Sequence, residues 1–180
     1  MSLNVSSPTF RALDASIGFS HADVPIFAEG SEGSATSATA TVSLRPTDKV
    51  RIGLQNTWTR IERERDGAEF ARTIIPRAQI EVQPSRPLFF RAIAEYRSDR
   101  RRGLEDARTG VPLVIDGTPS PAFRNGALQV ELLASFEPAP GTVFFLGYGS
   151  SHDAPDDDSL AAVRRTRDGL FLKLAYQFRW

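Results

Sequence analysis

Apolar and polar residues alternate along most of this chain, and a period of two residues is typical of a β-strand with one apolar side. The alternation is clearest at the C-terminal end, where one side of the predicted strand is apolar or aromatic throughout: Leu170, Leu172, Leu174, Tyr176, Phe178 and Trp180. The other side is mostly polar and carries Lys173, Gln177 and Arg179. Residues 170–180 are therefore predicted to form a strand between an apolar and a polar environment.

The same alternation predicts seven further strands, at residues 10–20, 35–45, 50–60, 73–83, 88–97, 127–137 and 142–148. The first of these alternates only weakly. In the fourth, Pro76 lies on the apolar side and cannot donate a ladder hydrogen bond. The last of them is apolar on both sides, so its register stays open.

Short and long connections alternate between these predicted strands. The short ones, residues 45–49, 83–87 and 137–141, contain the Pro, Asp, Ser and Gly residues that tight turns use. The long ones are residues 21–34, 61–72, 98–126 and 149–168. Eight strands, an even number, place both chain ends on the short-turn side, and this arrangement is typical of an outer-membrane barrel. We therefore predict an antiparallel up-and-down transmembrane β-barrel of about eight strands, formed by residues 1–180 as a single domain or as the C-terminal part of a larger barrel.

In a membrane, the apolar side of each strand faces lipid and the polar side faces the barrel interior. The predicted interior set carries both signs of charge and is expected to pair across the barrel: Arg51, Arg77, Glu81, Arg91, Glu95, Glu131, Lys173 and Arg179. Aromatic residues fall near the strand ends, where rings lie at headgroup level. Trp58, Tyr96 and Tyr148 are near the long loops, and Phe136, Phe178 and Trp180 are near the short turns.

Composition limits the alternatives. Basic and acidic residues number 22 each, and no basic stretch is interleaved with aromatics, so nucleic acid is not an expected partner. There is no Cys, and no run of apolar residues is long enough for a transmembrane helix. Residues 1–7 lack the features of an export signal. We expect either that a signal has been removed or, preferably, that the chain is the end of a longer protein.

The ending of the chain resembles the C-terminal signal that the barrel-assembly machinery reads in bacterial outer-membrane proteins. The residues that carry this resemblance are Leu172, Leu174, Tyr176, Phe178 and Trp180. Residues 43–50, 77–82, 90–97 and 140–148 also resemble the barrel end of large outer-membrane proteins that join a carbohydrate-binding-family-9-like domain to a barrel of unknown function. The resemblance implies a location in the bacterial outer membrane and an upstream carbohydrate-binding domain that is not in this chain.

One binding site is suggested by clustered arginines near the long loops: Arg97, Arg100, Arg101, Arg102, Arg164 and Arg165. Guanidinium groups bind phosphate through paired hydrogen bonds, so these residues are candidates for contacts with lipopolysaccharide phosphates. The alternative is a set of solvated charges paired with acidic neighbours such as Glu62, Glu64, Asp99 and Asp106.

No catalytic residue, metal site or cofactor is predicted. An acidic loop containing Asp153 and residues 156–158 lacks the spacing of a known calcium loop. A catalytic triad is not expected among Ser150, Ser151, His152 and Asp153, because neighbouring residues of a strand point to opposite faces.

A structural or transport-related barrel is the leading interpretation, and an enzyme is the less favoured one. Two alternatives stay open, namely a lipid-modifying enzyme with a loop-built site, for which His21 is a candidate, and a soluble barrel or sandwich that binds a small ligand.

Overall fold

A computed structural model describes residues 1–8 and 10–177 of the chain. Its strands are β1 (Ser2–Ser6), β2 (Leu13–Ile26), β3 (Ser31–Thr47), β4 (Val50–Arg63), β5 (Glu69–Ser85), β6 (Leu88–Arg101), β7 (Val114–Ile115), β8 (Thr118–Pro119), β9 (Phe123–Ala139), β10 (Thr142–Pro155) and β11 (Arg164–Tyr176). Nine of them form one antiparallel sheet in the order β1-β2-β3-β4-β5-β6-β9-β10-β11, and β7 and β8 form a small hairpin inside the β6–β9 connection. The predicted all-β, up-and-down antiparallel architecture is confirmed.

The sheet is open, so the prediction of a barrel closed by this chain alone is wrong. Its edges are β1 and β11, and no ladder among the described residues joins them. The sheet also has nine strands where eight were predicted, because residues 2–6 pair with residues 16–20 as an additional edge strand. The alternation in so short a segment is too brief to distinguish a strand from a tail.

The additional strand reverses the expected position of the N-terminus. The amino group of Met1 donates a hydrogen bond to the carbonyl oxygen of His21, at 2.8 Å, near the long-loop end of β2. With an odd number of strands, the first and last strands run in the same direction. The prediction that both chain ends lie at the short-turn side is therefore wrong.

The three short turns are confirmed, but the long connections are shorter than predicted. The turns are residues 48–49, 86–87 and 140–141, and Gly141 has the positive φ of 87° that a tight turn favours. On the opposite side the connections are residues 27–30, 64–68, 102–122 and 156–163. Antiparallel pairing continues beyond the predicted strand ends, so Ile26 still pairs with Ser31. In β2 the apolar positions change face, because Ala22, Val24 and Ile26 lie opposite to the side of Ile17 and Phe19, and this change interrupts the pattern that predicted the strand.

The ladder register gives the sheet one apolar and one polar face. A single row of directly paired residues crosses eight strands on the apolar face: Leu13, Leu44, Ile52, Ile80, Ala92, Leu132, Tyr148 and Leu170. A row on the other face is polar throughout: Ser16, Thr41, Gln55, Arg77, Glu95, Gln129, Ser151 and Arg167. The two predicted strand faces are therefore continuous across the whole sheet.

Candidate functional site

The apolar face of the sheet is exposed over its regular part, whereas at the long-loop end the β10–β11 connection packs on it through the contacts of Asp158 with Tyr96 and Ser98. We call its exposed large side chains the apolar band: Leu3, Val5, Leu13, Ile17, Phe19, Leu54, Ile80, Phe90, Leu132, Phe136, Phe144, Leu146, Leu170, Leu172, Leu174 and Tyr176. Leu132 is 47% exposed near the middle of the sheet and Leu172 is 75% exposed on the edge strand. A soluble monomer rarely exposes an apolar patch of more than a few hundred Å². A face of this extent therefore needs an apolar environment.

Aromatic residues lie at both borders of the apolar band. Phe136 and Phe144 stack near a short turn, with ring centres 6.4 Å apart. Trp58 and Tyr96 lie towards the long-loop end of their strands. Tyr148 lies in the middle of β10 and pairs with Leu132, so it is not at the long-loop border where it was expected. Phe178 and Trp180, which were also expected at a border, lie outside the described residues.

The polar face carries the charged residues that were predicted for an interior, and several of them pair between neighbouring strands. Arg77 Nη1 lies 3.0 Å from Glu95 Oε2, and Arg51 Nη1 lies 3.6 Å from Glu81 Oε2. Arg97 pairs with Asp99 on its own strand. These pairs join adjacent positions and do not cross the space in front of the sheet. Arg179 lies outside the described residues.

The ends of the hairpins descend steadily across the sheet. The β2–β3 ladder extends two residues beyond the level of Arg63, which is the end of β4. Through their paired neighbours, the last pair of β6 and β9 is level with Ile61, and the last pair of β10 and β11 is level with Thr57. From the β2–β3 hairpin to the β10–β11 hairpin, the ends therefore descend by eight residues over six strands, a stagger of about 1.3 residues per strand. With a rise of about 3.4 Å per residue and about 4.8 Å between strands, this stagger corresponds to a tilt of roughly 43°.

Buried side chains gather at the long-loop end of the sheet. Ile26, Phe70 and Leu104 form a small core, against which Ile61, Ala71 and Leu113 pack. Since Ile61 and Ala71 belong to the polar face, the β6–β9 connection folds over that face. We call this connection, residues 102–122, the inner loop.

A buried ion pair fixes the inner loop to the sheet. The side chains of Arg63 and Glu29 are 2% and 1% exposed, and the guanidinium donates to both carboxylate oxygens at 2.6 and 2.9 Å. Arg63 also donates to the carbonyl oxygen of Gly103, and the backbone N–H of Glu105 donates to Glu29. Burial alone raises the pKa of Glu29, but the hydrogen bonds from Arg63 and Glu105 bring that pKa below its usual value. The carboxylate is therefore held ionised.

A second buried carboxylate anchors the β10–β11 connection. Asp158 accepts hydrogen bonds from the Arg100 guanidinium and from the Ser98 hydroxyl, and its carbonyl oxygen accepts one from the Tyr96 hydroxyl at 2.6 Å. Burial raises the pKa of Asp158, but the bonds from Arg100 and Ser98 bring it below the usual value. Arg100 is therefore committed to a structural contact, which the sequence did not indicate.

The six predicted phosphate-binding arginines do not lie together. Arg97 and Arg101 are on the polar face of β6, and Arg100 is on its apolar face. Arg164 and Arg165 lie three strands away at the start of β11, where Arg165 is 3.7 Å from Asp168. The structure does bring one group together, at the end of β6 and the start of β9. A cleft of about 190 Å³ there is lined by Arg100, Arg101, Arg102 and Arg124, together with Glu69 and Phe123.

Sequence inspection missed Arg124, since residues 102–122 separate it from the other arginines. Its position follows only from the ladder, in which Arg100 pairs directly with Arg124. The same row continues through Arg72 to Arg60, so four neighbouring strands carry an arginine at one level of the apolar face. We call the cleft lined by Arg100, Arg101, Arg102 and Arg124 the arginine cleft.

The residues considered for other chemistry are not assembled into a site. Ser150 and His152 lie on the opposite face from Ser151 and Asp153, as the alternation required. His21 on β2 stands six strands from His152 on β10. In the acidic loop, Asp153 accepts a hydrogen bond from Thr166 and Asp157 accepts one from the N–H of Ser159. Among residues 1–8 and 10–177, no group of three or more His, Asp or Glu side chains is placed to hold a metal ion.

No family model, curated protein or solved structure matches this chain. Within the described part of the chain, no helix has the length and apolarity needed to cross a membrane. Of the predicted assembly signal, Leu172, Leu174 and Tyr176 lie on the apolar face of β11, whereas Phe178 and Trp180 lie outside the described residues.

Proposed function

We propose that this sheet is part of the wall of a bacterial outer-membrane β-barrel, with the apolar band facing lipid and the polar face lining the interior. The exposed apolar band, which lies on eight strands of one nine-stranded hydrogen-bonded sheet, is the observation that carries the proposal. Strands that cross a bilayer in barrels are tilted by about 35–45°, and the stagger of this sheet corresponds to a tilt within that range.

Both edges of the sheet must be paired in such a barrel, because hydrocarbon cannot satisfy free N–H and C=O groups. Direct closure of β1 onto β11 would join two strands that run in the same direction. An antiparallel barrel therefore needs an odd number of further strands between them. We propose that other strands of the mature protein or its assembly complete the wall, which agrees with the expectation of a larger barrel.

A structural or transport-related role fits the polar face best. Both signs of charge are present on it and several of the charges are paired between neighbours, so the surface is polar without a dominant sign. The inner loop packs on this face at the long-loop end through Leu104 and the Arg63–Glu29 pair. In a closed barrel it would narrow the interior at that end, as expected for a solute pathway of limited width.

Neighbouring residues with opposite environments give a direct test, and the chain has no native Cys to interfere. Leu54→Cys places a label on the apolar face, and Gln55→Cys places the same label one residue away on the polar face. Each variant of the full protein is labelled with an environment-sensitive fluorophore and reconstituted into phosphatidylcholine vesicles. We expect the fluorophore at position 54 to show a blue-shifted emission that brominated lipid quenches. The fluorophore at position 55 should show neither the shift nor the quenching.

Leu132→Cys and Glu131→Cys repeat the comparison on β9. If all four labels report water, or if the polar-face labels are quenched by lipid as strongly as their neighbours, the sheet is not barrel wall. A soluble sheet that binds a small ligand would give aqueous emission at all four positions when vesicles are present.

A further inference from the structure

We propose that the arginine cleft binds the phosphate groups of a phosphorylated glycolipid in the outer leaflet. This inference rests on the proposed position of the apolar band in a membrane. It replaces the dispersed set of arginines suggested by the sequence with one cleft at the rim, where the β6–β9 ladder ends at Arg101 and side chains from both faces meet: Arg100, Arg101, Arg102 and Arg124.

Three of the four arginines in the cleft carry uncompensated charge. Among the ion pairs of the described residues, none involves Arg101, Arg102 or Arg124. Arg100 is occupied by Asp158. The cleft is therefore a concentrated positive site that the protein itself leaves unneutralised.

The acidic residue in the cleft is engaged elsewhere. Glu69 Oε2 lies 3.3 Å from Arg60 Nε, and Glu69 Oε1 lies 4.0 Å from Arg72 Nε. Its charge is therefore shared with the two arginines that precede the cleft in the same row. It offsets their repulsion and does little for Arg124.

The row of paired arginines that ends at Arg124 favours the binding of an anion in the arginine cleft. Arg60, Arg72, Arg100 and Arg124 are direct neighbours across four strands, and like charges in that position destabilise a sheet. Carboxylates offset the first three members of the row. A bound phosphate would do the same for Arg124, because guanidinium groups form paired, charge-assisted hydrogen bonds with phosphate oxygens.

The height of the cleft above the apolar band indicates the class of lipid. Arg100 lies four residues beyond Tyr96 on β6, which is about 13 Å along the strand and roughly 10 Å along the membrane normal at the usual tilt. Each headgroup layer of an ordinary bilayer is only about 5–7 Å thick. Phosphates carried on sugars above the acyl chains therefore match the cleft better than the phosphates of glycerophospholipids.

The decisive experiment measures binding of diphosphorylated lipid A to the full protein in mixed detergent micelles. The test variant combines Arg101→Gln, Arg102→Gln and Arg124→Gln. It leaves Arg100 in place, because Arg100 anchors Asp158. The matched control combines Arg11→Gln, Arg86→Gln and Arg108→Gln, three exposed arginines outside the cleft that form no ion pair among the described residues. Both variants lose three positive charges.

We expect lipid A affinity to fall at least about tenfold in the cleft variant, because the charge-assisted hydrogen bonds from three guanidinium groups to the lipid A phosphates are lost. The control variant is expected to bind like the unchanged protein. Dephosphorylated lipid A, phosphatidylglycerol and inorganic phosphate are expected to compete poorly. Equal affinity in the cleft and control variants would overturn the proposal. So would equal competition by phosphatidylglycerol or inorganic phosphate, which would indicate a general anion site.

A label at Leu54→Cys in both variants separates this inference from the proposed function. Blue-shifted emission in vesicles together with unchanged lipid A binding would reject the glycolipid site alone. Aqueous emission would reject the membrane position and the glycolipid site with it.

Discussion

The apolar band and the long-loop end belong to the same strands, yet they differ in which side chains they bury. The band leaves large apolar side chains exposed, whereas the long-loop end buries a charged pair. In the band, large residues such as Leu132 and Phe136 are exposed by 47% and 45%. At the long-loop end, Arg63 and Glu29 are almost completely buried beside Ile26, Phe70 and Leu104. Apolar residues thus face outward where the sheet is regular, and charged residues lie inside where its connections fold together.

This difference indicates that the two regions depend on different surroundings. The long-loop end has a small core and satisfied ion pairs of its own, so it needs only water outside it. Each large apolar side chain of the band gains about 1.5–3 kcal/mol when it is fully removed from water. Nothing in the described sheet provides that burial. Lipid would provide it, and for this reason the comparison can be tested separately in each region.

The largest effect is expected from breaking the buried ion pair at the long-loop end. Arg63→Ala leaves Glu29 as an uncompensated buried carboxylate, at a cost of about 3–5 kcal/mol. The inner loop should then detach, and hydrogen exchange at its backbone amides, Glu105 and Leu113 among them, should lose most of its protection.

Arg60→Ala is the matched control on the same strand. The Arg60 side chain is 39% exposed and its pairs with Glu62 and Glu69 are near water, so a loss of only about 0–1 kcal/mol is expected. Equal protection of the inner loop in both variants would show that Arg63 does not hold it.

The next effect concerns the apolar band. Ile80→Arg puts a charge on the apolar face of β5 between Ile52 and Ala92. In a bilayer this should destabilise the protein by about 2–4 kcal/mol, the range for Arg near the midplane of a barrel. The free energy of unfolding by urea from vesicles measures it.

Gln79→Arg is the control, one residue away on the polar face and next to Glu81. We expect it to change stability much less. Similar losses at positions 79 and 80 would contradict the assignment of the two faces.

A smaller effect is expected inside the polar face, where Phe171 of β11 lies over Gly147 of β10. A Cβ atom at Gly147 would come within 2.0 Å of the Phe171 ring, whereas nothing lies within 4 Å of a Cβ at Gly149. Gly147→Ala should push the ring away and cost about 1 kcal/mol or slightly more, as overpacking does. Gly149→Ala, on the same strand and face, should cost little. Hydrogen exchange along the β10–β11 ladder compares the two, and equal protection would mean that the ring contact contributes nothing.

The comparison of the two regions also separates what the sequence predicts from what it does not. Alternation predicted the apolar and the polar face of the sheet, and the turn residues predicted the three short turns. Both kinds of feature depend on residues that are neighbours in the sequence. The alternation failed at the strand ends. His21 to Ile26 continue as strand through pairing with β3, but there the apolar residues Ala22, Val24 and Ile26 fall on the opposite face from Ile17 and Phe19, so the alternation of β2 is interrupted.

The contacts at the long-loop end could not be predicted for a related reason. Glu29 and Arg63 are 34 positions apart and meet only when a turn and a strand end are placed side by side. Arg124 joins the arginine cleft only through the register of β6 and β9. Closure of the sheet is a property of its two edges, and the alternation within each strand carries no information about it.

The smallest expected effect is the response of the long-loop end to acid. The pKa of Glu29 is below its usual value of 4.5 in the folded protein, so its ionised form stabilises the inner loop above the unfolded pKa. That contribution is lost as the pH falls through the folded pKa. Loss of inner-loop protection in hydrogen exchange should therefore begin below about pH 4.3, while labels on the apolar band keep their blue-shifted emission. The effect is smaller than that of Arg63→Ala because the guanidinium keeps its hydrogen bond to Gly103 and its ion pair with Glu105 when Glu29 is protonated. In Glu29→Gln the acid response should be reduced, and an unchanged response in that variant would assign it to another group.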